Sequence, residues 1–176
     1  KVIQFAEGSL LREIGEYSFA NTAVESIKMP NSVLIIKKGA FFNDFNLKEV
    51  RFNGEIIEDD AFAQTAISSF VLSNKTKSIG SNAFRNCKFL QKFEIDINKS
   101  NLSGIGSYAF ADSGIQMINI PRKIKVIKEG TFKGCKSLKQ VDFSTSSILE
   151  QIQPYSFVGA LSLEKMYLPK SLKDLS

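Results

Sequence analysis

The apolar positions of this chain follow one arrangement that returns seven times. Each copy has an Ile five residues before a Phe, a small residue directly before the Phe, and then an apolar trio spaced L-x-x-L-x-L. The aligned phenylalanines are Phe19, Phe41, Phe62, Phe84, Phe110, Phe132 and Phe157. Successive copies lie about 21 to 26 residues apart, and one copy is too short to bury its own apolar side chains. The pattern therefore predicts stacked coils that share a continuous core.

Each copy also predicts its own local structure. The L-x-x-L-x-L segment is expected to form a short strand whose middle apolar residue faces the core while its two neighbours face solvent. Strands of successive coils should pair in parallel. The stretch from the Ile to the Phe is expected to form a turn or a short helix on the outer side. Gly15, Gly80 and Gly106 follow the Ile, where we expect a turn with positive φ.

Two segments carry the repeat in its fullest form. They are residues 79–95, "IGSNAFRNCKFLQKFEI", and residues 127–143, "IKEGTFKGCKSLKQVDF". Both resemble the BspA-like leucine-rich repeat family, whose motif runs L-x-x-I-x-x-x-A-F-x-x-C-x-x-L-x-x-V-x-[ILF]-P. A shorter variant, "AF-x-x-T/S-x-I", is also typical of that family. The resemblance extends over the whole chain.

This resemblance implies a leucine-rich repeat solenoid. We expect a curved right-handed coil with a parallel β-sheet on the concave face and turns or short helices on the convex face. Residues 1–176 would form a single domain of about seven and a half repeats. Lys1 and Ser176 both fall inside a repeat, so we expect a fragment of a longer protein. Members of the family often belong to large surface or secreted proteins of bacteria or mucosal parasites, and they share no catalytic site.

Composition narrows the possible functions. The chain has no His, which excludes Ser-His-Asp and Cys-His nucleophiles and imidazole ligands for zinc. Lys and Arg outnumber Asp and Glu by 23 to 18, but no basic run is longer than two residues. A nucleic-acid interface would concentrate these charges, so we interpret the net charge of +5 as serving solubility. No apolar stretch is long enough to span a bilayer, and we expect no membrane insertion by these residues and no cofactor.

The chain has two cysteines and one dense acidic cluster. Cys87 and Cys135 hold the same repeat position two coils apart, which implies a separation of roughly 10 Å. A disulfide requires Cα atoms within about 7 Å, so free thiols are expected. The acidic cluster, Glu58-Asp59-Asp60, could contribute oxygen ligands to a calcium site, but it lacks the spacing of a calcium loop. A solvated turn is the favoured interpretation.

Three Asn-x-Ser/Thr sequences begin at Asn74, Asn98 and Asn101. They match the acceptor pattern for N-linked glycans and give weak support for secretion.

The outward positions of the predicted strands form the best candidate binding surface. Two columns flank the inward residue, and both mix charges of either sign with a few apolar side chains. The candidate contacts on the two columns are Arg51, Ser69, Val71, Lys92, Glu94, Met117, Asn119 and Tyr167. A curved solenoid presents such columns as one long surface suited to binding a protein or a glycan.

Three functional classes follow from these observations. The leading hypothesis is a non-enzymatic, protein-binding module of a cell-surface or secreted protein that adheres to host or matrix proteins, including glycoproteins. The alternatives are an intracellular interaction scaffold that uses the same face and a passive spacer within a larger surface protein. A signal peptide on the parent protein would favour adhesion over the scaffold.

Overall fold

The computed structural model describes all residues from Lys1 to Ser176. The chain forms a solenoid of about eight coils, and every regular element in it is a short strand. Each coil contributes one strand from its L-x-x-L-x-L segment and a second strand that ends at its Ile. We call the first set the front ladder and the second set the back ladder.

The front ladder contains the odd-numbered strands. They are β1 Val2–Ile3, β3 Ser26–Lys28, β5 Glu49–Arg51, β7 Ser69–Val71, β9 Lys92–Glu94, β11 Met117–Ile120, β13 Gln140–Phe143 and β15 Lys165–Met166. All pairings are parallel, in a three-stranded sheet β1-β3-β5 and a five-stranded sheet β7-β9-β11-β13-β15. Middle residues such as Ile27, Phe70 and Ile118 are buried between more exposed neighbours. The predicted alternation is therefore present.

The back ladder contains the even-numbered strands. They are β2 Glu13–Ile14, β4 Ile35–Ile36, β6 Ile56–Ile57, β8 Ser78–Ile79, β10 Gly104–Ile105, β12 Val126–Ile127, β14 Gln151–Ile152 and β16 Asp174–Leu175. β2 to β10 form one parallel sheet, and β12, β14 and β16 form another. The sequence analysis assigned no strand here, because two residues are too few to show a period of two.

The outer segments contain no short helix, contrary to the expectation. Each Phe instead lies at the centre of a five-residue Phe turn that bonds to the next coil. The N–H of Phe62 donates to the carbonyl oxygen of Ala83 at 2.9 Å, and the N–H of Phe84 donates to that of Ala109 at 2.7 Å. The residues two before and two after the Phe make equivalent bonds. These N–H groups point along the solenoid, so they cannot close the turns of a helix.

Two residues in every Phe turn adopt positive φ, which also prevents a right-handed helix from continuing. Two residues before the Phe they are Tyr17, Gly39, Asp60, Asn82, Tyr108, Gly130 and Tyr155. Two residues after it they are Asn21, Asn43, Gln64, Asn86, Asp112, Gly134 and Gly159. Gly, Asn and Asp predominate, as expected of residues that tolerate this conformation.

The prediction of positive φ at Gly15, Gly80 and Gly106 is wrong. At two of them glycine is required for a different reason. A Cβ on Gly80 would lie 2.4 Å from the backbone nitrogen of Asp59, and one on Gly106 would lie 2.3 Å from that of Ser81. The preceding coil is therefore too close for a side chain at these positions.

The phenylalanines of the Phe turns form one stacked column through the core. Neighbouring ring centroids are 5.3 to 5.6 Å apart, and the interplanar angles lie between 3° and 19°. Phe70 and Phe93 of the front ladder meet the column edge-on. Such aromatic geometries add to the free energy gained by burying the rings.

Replacing Phe110 with Ala is expected to destabilise the fold by about 3–5 kcal/mol, because the fully buried ring contacts Phe84, Phe93 and Phe132. Urea denaturation followed by circular dichroism measures the change. Phe89→Ala is the matched control: its ring is 65% exposed, so its expected cost is about 0.5 kcal/mol or less. Equal costs for the two variants would contradict the assigned packing.

A column of small polar side chains lies three residues after the Phe of each of the first six turns. Its members are Thr22, Asp44, Thr65, Cys87, Ser113 and Cys135. The hydroxyl of Thr22 donates to Asp44 Oδ2 at 2.7 Å, and the N–H of Asn46 donates to Oδ1 at 3.4 Å. Asp44 is nevertheless fully buried, and this burial raises the pKa of its carboxyl above the ordinary value.

Asp44 should therefore make the stability depend on pH. Its favourable contribution is present below about pH 3.9 and is lost as the pH rises through the raised native pKa, because the ionised form is disfavoured in the fold. We expect Asp44→Asn to gain stability relative to the wild-type chain between about pH 3 and pH 7. Urea denaturation across this range tests it. A difference in unfolding free energy that stays constant with pH would contradict the prediction.

Candidate binding surfaces

The predicted contact residues lie on the outer side of the front ladder. Seven of the eight are exposed, and Asn119 is half-buried. Six of them belong to the five-stranded sheet: Ser69, Val71, Lys92, Glu94, Met117 and Asn119. Arg51 is on β5 of the three-stranded sheet, and Tyr167 follows the last residue of β15. The strand order therefore brings six of the candidates onto one sheet and leaves two at its borders.

The register of the strands sets which candidates are neighbours. Lys92 lies between Ser69 and Met117 on the adjacent strands, and Val71 lies beside Glu94. Lys92, Glu94, Met117 and Asn119 line a depression of about 650 Å³, together with Gln140, Lys165 and others. Met117 is the exposed apolar side chain among its charged and amide groups, so the depression can present a contact for an apolar side chain within a polar rim.

A second depression of about 540 Å³ adjoins the first on the same face. Val71 and Glu94 line it, with residues of the turns that follow the front strands. At the other border of the sheet, the Nζ of Lys165 lies 5.3 Å from the ring centroid of Tyr167. A cation at this distance is attracted to the ring and helps to orient it.

A pair of exposed aromatic side chains was missed by the sequence analysis. Phe45 and Phe89 are 63% and 65% exposed and lie two coils apart, on either side of a shorter turn. With Thr65 and Ala66 between them they line a depression of about 310 Å³. The available signal in the sequence was the length of the repeats. The repeats that contain Phe45 and Phe89 have six residues from the aligned Phe to the next aliphatic residue of the trio, and the repeat between them has five.

The acidic cluster contacts its neighbouring coils. A carboxylate oxygen of Glu58 lies 3.4 Å from Lys37 Nζ, and the other accepts the N–H of Lys38 at 3.0 Å. Asp59 Oδ1 accepts the N–H of Ser81 at 2.6 Å. Burial, followed by the charge of Asp59, raises the pKa of Asp60. No group of three or more His, Cys, Asp or Glu side chains in the chain is arranged to hold a metal ion.

The profile of the BspA-type leucine-rich repeat region matches residues 12–56 and 55–176, in six copies. The chain belongs to the BspA-type leucine-rich repeat family. Its repeats thus carry the family pattern over nearly all of the sequence, as the resemblance indicated. No curated protein sequence gives a significant match to this BspA-type chain.

Solved structures share the solenoid fold of this BspA-type chain at low sequence identity. A leucine-rich repeat protein of Treponema pallidum superposes with a TM-score of 0.81 at 22% identity, over 92% of this chain and 76% of that one. One from Bacteroides ovatus gives 0.77 at 21% identity, over 93% and 48%. The pneumococcal vaccine antigen PcpA gives 0.58 at 22% identity, over 97% and 51%. The chain therefore spans about half the length of the latter two.

The two BspA-type cysteines are free, as predicted, and the structure buries both of them. The Sγ of Cys87 donates to the carbonyl oxygen of Phe62, and that of Cys135 donates to that of Phe110, each at 3.0 Å. Burial raises the pKa of each thiol to about 11.

No helix long and apolar enough to cross a bilayer occurs in the structure.

Both thiols should resist modification while the protein is folded. Thiolates are the reactive form, and burial holds Cys87 and Cys135 in the thiol form and away from reagent. We expect negligible reaction with a disulfide reagent at about pH 8 in buffer and release of two equivalents in denaturant. Rapid reaction of the native protein at either cysteine would contradict this.

Proposed function

We propose that this chain is a non-enzymatic, protein-binding module that contacts its partner through the front ladder. The observation that carries the proposal is the exposure of three large apolar side chains among charges on one face. Val71 is 65% exposed, Met117 48% and Tyr167 72%. Aromatic residues and Met are enriched where proteins meet, and a polar rim around them is typical of such contacts.

The proposed setting is the surface of a cell or a secreted protein that adheres to host or matrix proteins. Support comes from the family, which implies surface attachment, and from the fold shared with the vaccine antigen PcpA. We further propose that the solenoid is a curved right-handed coil with the front ladder on its concave side. That shape would let residues from several coils converge on one partner.

Charges beside the apolar residues would set the specificity of the contact. Lys92 and Lys165 belong to one outward column of the front ladder. Glu94 and Asp142 belong to the outward column beside it. A partner must match both signs to dock in this register, and a mismatch places like charges together. The mixed pattern supports recognition of a particular protein surface over general adhesion to any polyanion.

Adhesion is tested with beads that carry the protein, applied to cultured epithelial cells and to wells coated with matrix proteins. Replacing Val71, Met117 and Tyr167 together with Ser should lower bead retention at least tenfold, which corresponds to about 1.4 kcal/mol. The inward residues Phe70 and Ile118 remain, so the fold should persist.

The matched control replaces Lys38 and Lys128 with Ala on the outer side of the coils, and Asp60 with Asn, which tolerates the positive φ there. We expect this variant to be retained like the wild-type protein. Loss of retention in the control but not in the Ser variant would overturn the choice of face. Beads with the wild-type protein that fail to bind either surface would overturn adhesion and favour the scaffold or the passive spacer.

A further inference from the structure

The turns that connect each front strand to the next back strand carry a concentration of positive charge. We call five of these residues the cationic edge: Lys75, Lys99, Arg122, Lys123 and Lys125. All are exposed except Lys123, which is half-buried. They come from three consecutive coils, and the sequence separates them by up to 50 positions, so they form no long basic run.

Direct contacts join these turns into one surface. The N–H of Asn101 donates to the carbonyl oxygen of Asn74 at 3.1 Å, which joins the first two coils of the edge. Lys123 Nζ donates to Asn101 Oδ1 at 2.7 Å, which joins the second to the third. The three turns therefore lie side by side along one edge of the solenoid.

The positive charge of the edge is not neutralised by the protein. None of its five cations takes part in an ion pair. The three turns contain one carboxylate, Asp96, which accepts the N–H groups of Asn98 and Lys99, each at 3.1 Å, so the edge keeps a net positive charge; Glu150 of the next coil pairs with Lys173. The third turn of the edge, residues 121–125, contains three cations and no carboxylate.

The backbone of the third turn of the edge is held in place by its neighbours. Ile124 and Ile127 are fully buried on either side of Lys125. The next coil adds two contacts, because β12 pairs with β14 and the N–H of Ile148 donates to the carbonyl oxygen of Arg122 at 3.2 Å. A ligand would therefore meet a backbone that is already ordered, so that only the side chains of the cations lose conformational freedom on binding.

We propose that the cationic edge binds an anionic polysaccharide with sulfate or carboxylate groups at regular intervals. The amides and hydroxyls between the cations can hydrogen-bond to sugar hydroxyls, as at Asn98 and Ser103, where the side chains are exposed. Residues 73–77, 96–103 and 121–125 contain no aromatic side chain, so the edge offers no platform for stacking nucleic-acid bases. This site adjoins the front ladder, because Lys75 lines the same depression as Val71, and it goes beyond the proposed protein-binding function.

The test measures binding of the intact protein to a heparin decasaccharide by titration calorimetry at low salt. Replacing Lys99, Arg122 and Lys125 together with Gln should weaken binding at least tenfold, and added salt should weaken the wild-type interaction because it screens the charges. The control triple replaces Lys88, Lys133 and Lys136 with Gln and removes the same charge from the other turns. We expect less than a twofold effect for it, and circular dichroism checks the fold of both variants.

Three results would overturn the proposal. Equal weakening by the two triples would mean that only net charge matters. A short DNA duplex that binds as tightly as heparin and shows the same loss in the Gln triple would make the edge a general polyanion site. Phosphatidylserine vesicles that bind through the same residues in preference to heparin would assign the edge to membrane surfaces.

The serine variant of Val71, Met117 and Tyr167 separates this proposal from the proposed function. It leaves the net charge unchanged and should bind heparin like the wild-type protein. If the serine variant lost heparin binding, the two surfaces would not be independent and the cationic edge would not be a site of its own. If beads with the wild-type protein were not retained while the wild-type protein still bound heparin, the result would count against adhesion through the front ladder alone.

Discussion

The structure depends on how tightly one Phe turn can lie against the next. Each junction between turns has three backbone hydrogen bonds, donated from the Phe and from the residues two before and two after it. The backbone hydrogen bonds hold neighbouring coils at about the spacing of paired strands. The stacked rings fit nearly the same spacing between coils, since their centroids are 5.3 to 5.6 Å apart. A small residue before the Phe and two residues with positive φ are the local conditions that allow both contacts at once.

The rest of the fold follows from this spacing. Coils held at the distance of paired strands bring the front and back segments within bonding distance, so strands of only two to four residues form ladders that would not be stable alone. The same spacing places outward side chains of adjacent coils next to one another. Residues that are far apart in sequence, such as Lys75 and Lys123, therefore share one edge.

Much of the architecture could be predicted from the sequence, because the repeat multiplies each weak local signal by seven. The Phe column, the inward residues of the front strands and the two free thiols belong to this part. The helical alternative failed because hydrophobic spacing does not report where backbone N–H groups point. The role of Gly80 was missed for a similar reason: its neighbour in space, Asp59, belongs to another coil.

The surfaces were harder to predict than the core. The sequence placed Val71, Met117 and Tyr167 outward because alternation along a strand is a local property. The depression beside Phe45 and Phe89 depends on the relative lengths of three successive turns. The cationic edge depends on which turns are neighbours in space. A charge count along the chain treats Lys99 and Arg122 as scattered, although they lie on adjacent coils.

The interruptions in the two ladders have a mechanical consequence. The front ladder lacks strand pairing between β5 and β7, and the back ladder lacks it between β10 and β12. The two gaps fall at different junctions between coils and on different sides of the solenoid. Where the front is open, β6 and β8 remain paired, and where the back is open, β9 and β11 remain paired. The Phe turns continue across both, so a pull along the stack would be opposed at each gap by the Phe-turn hydrogen bonds and by the ladder that stays paired there.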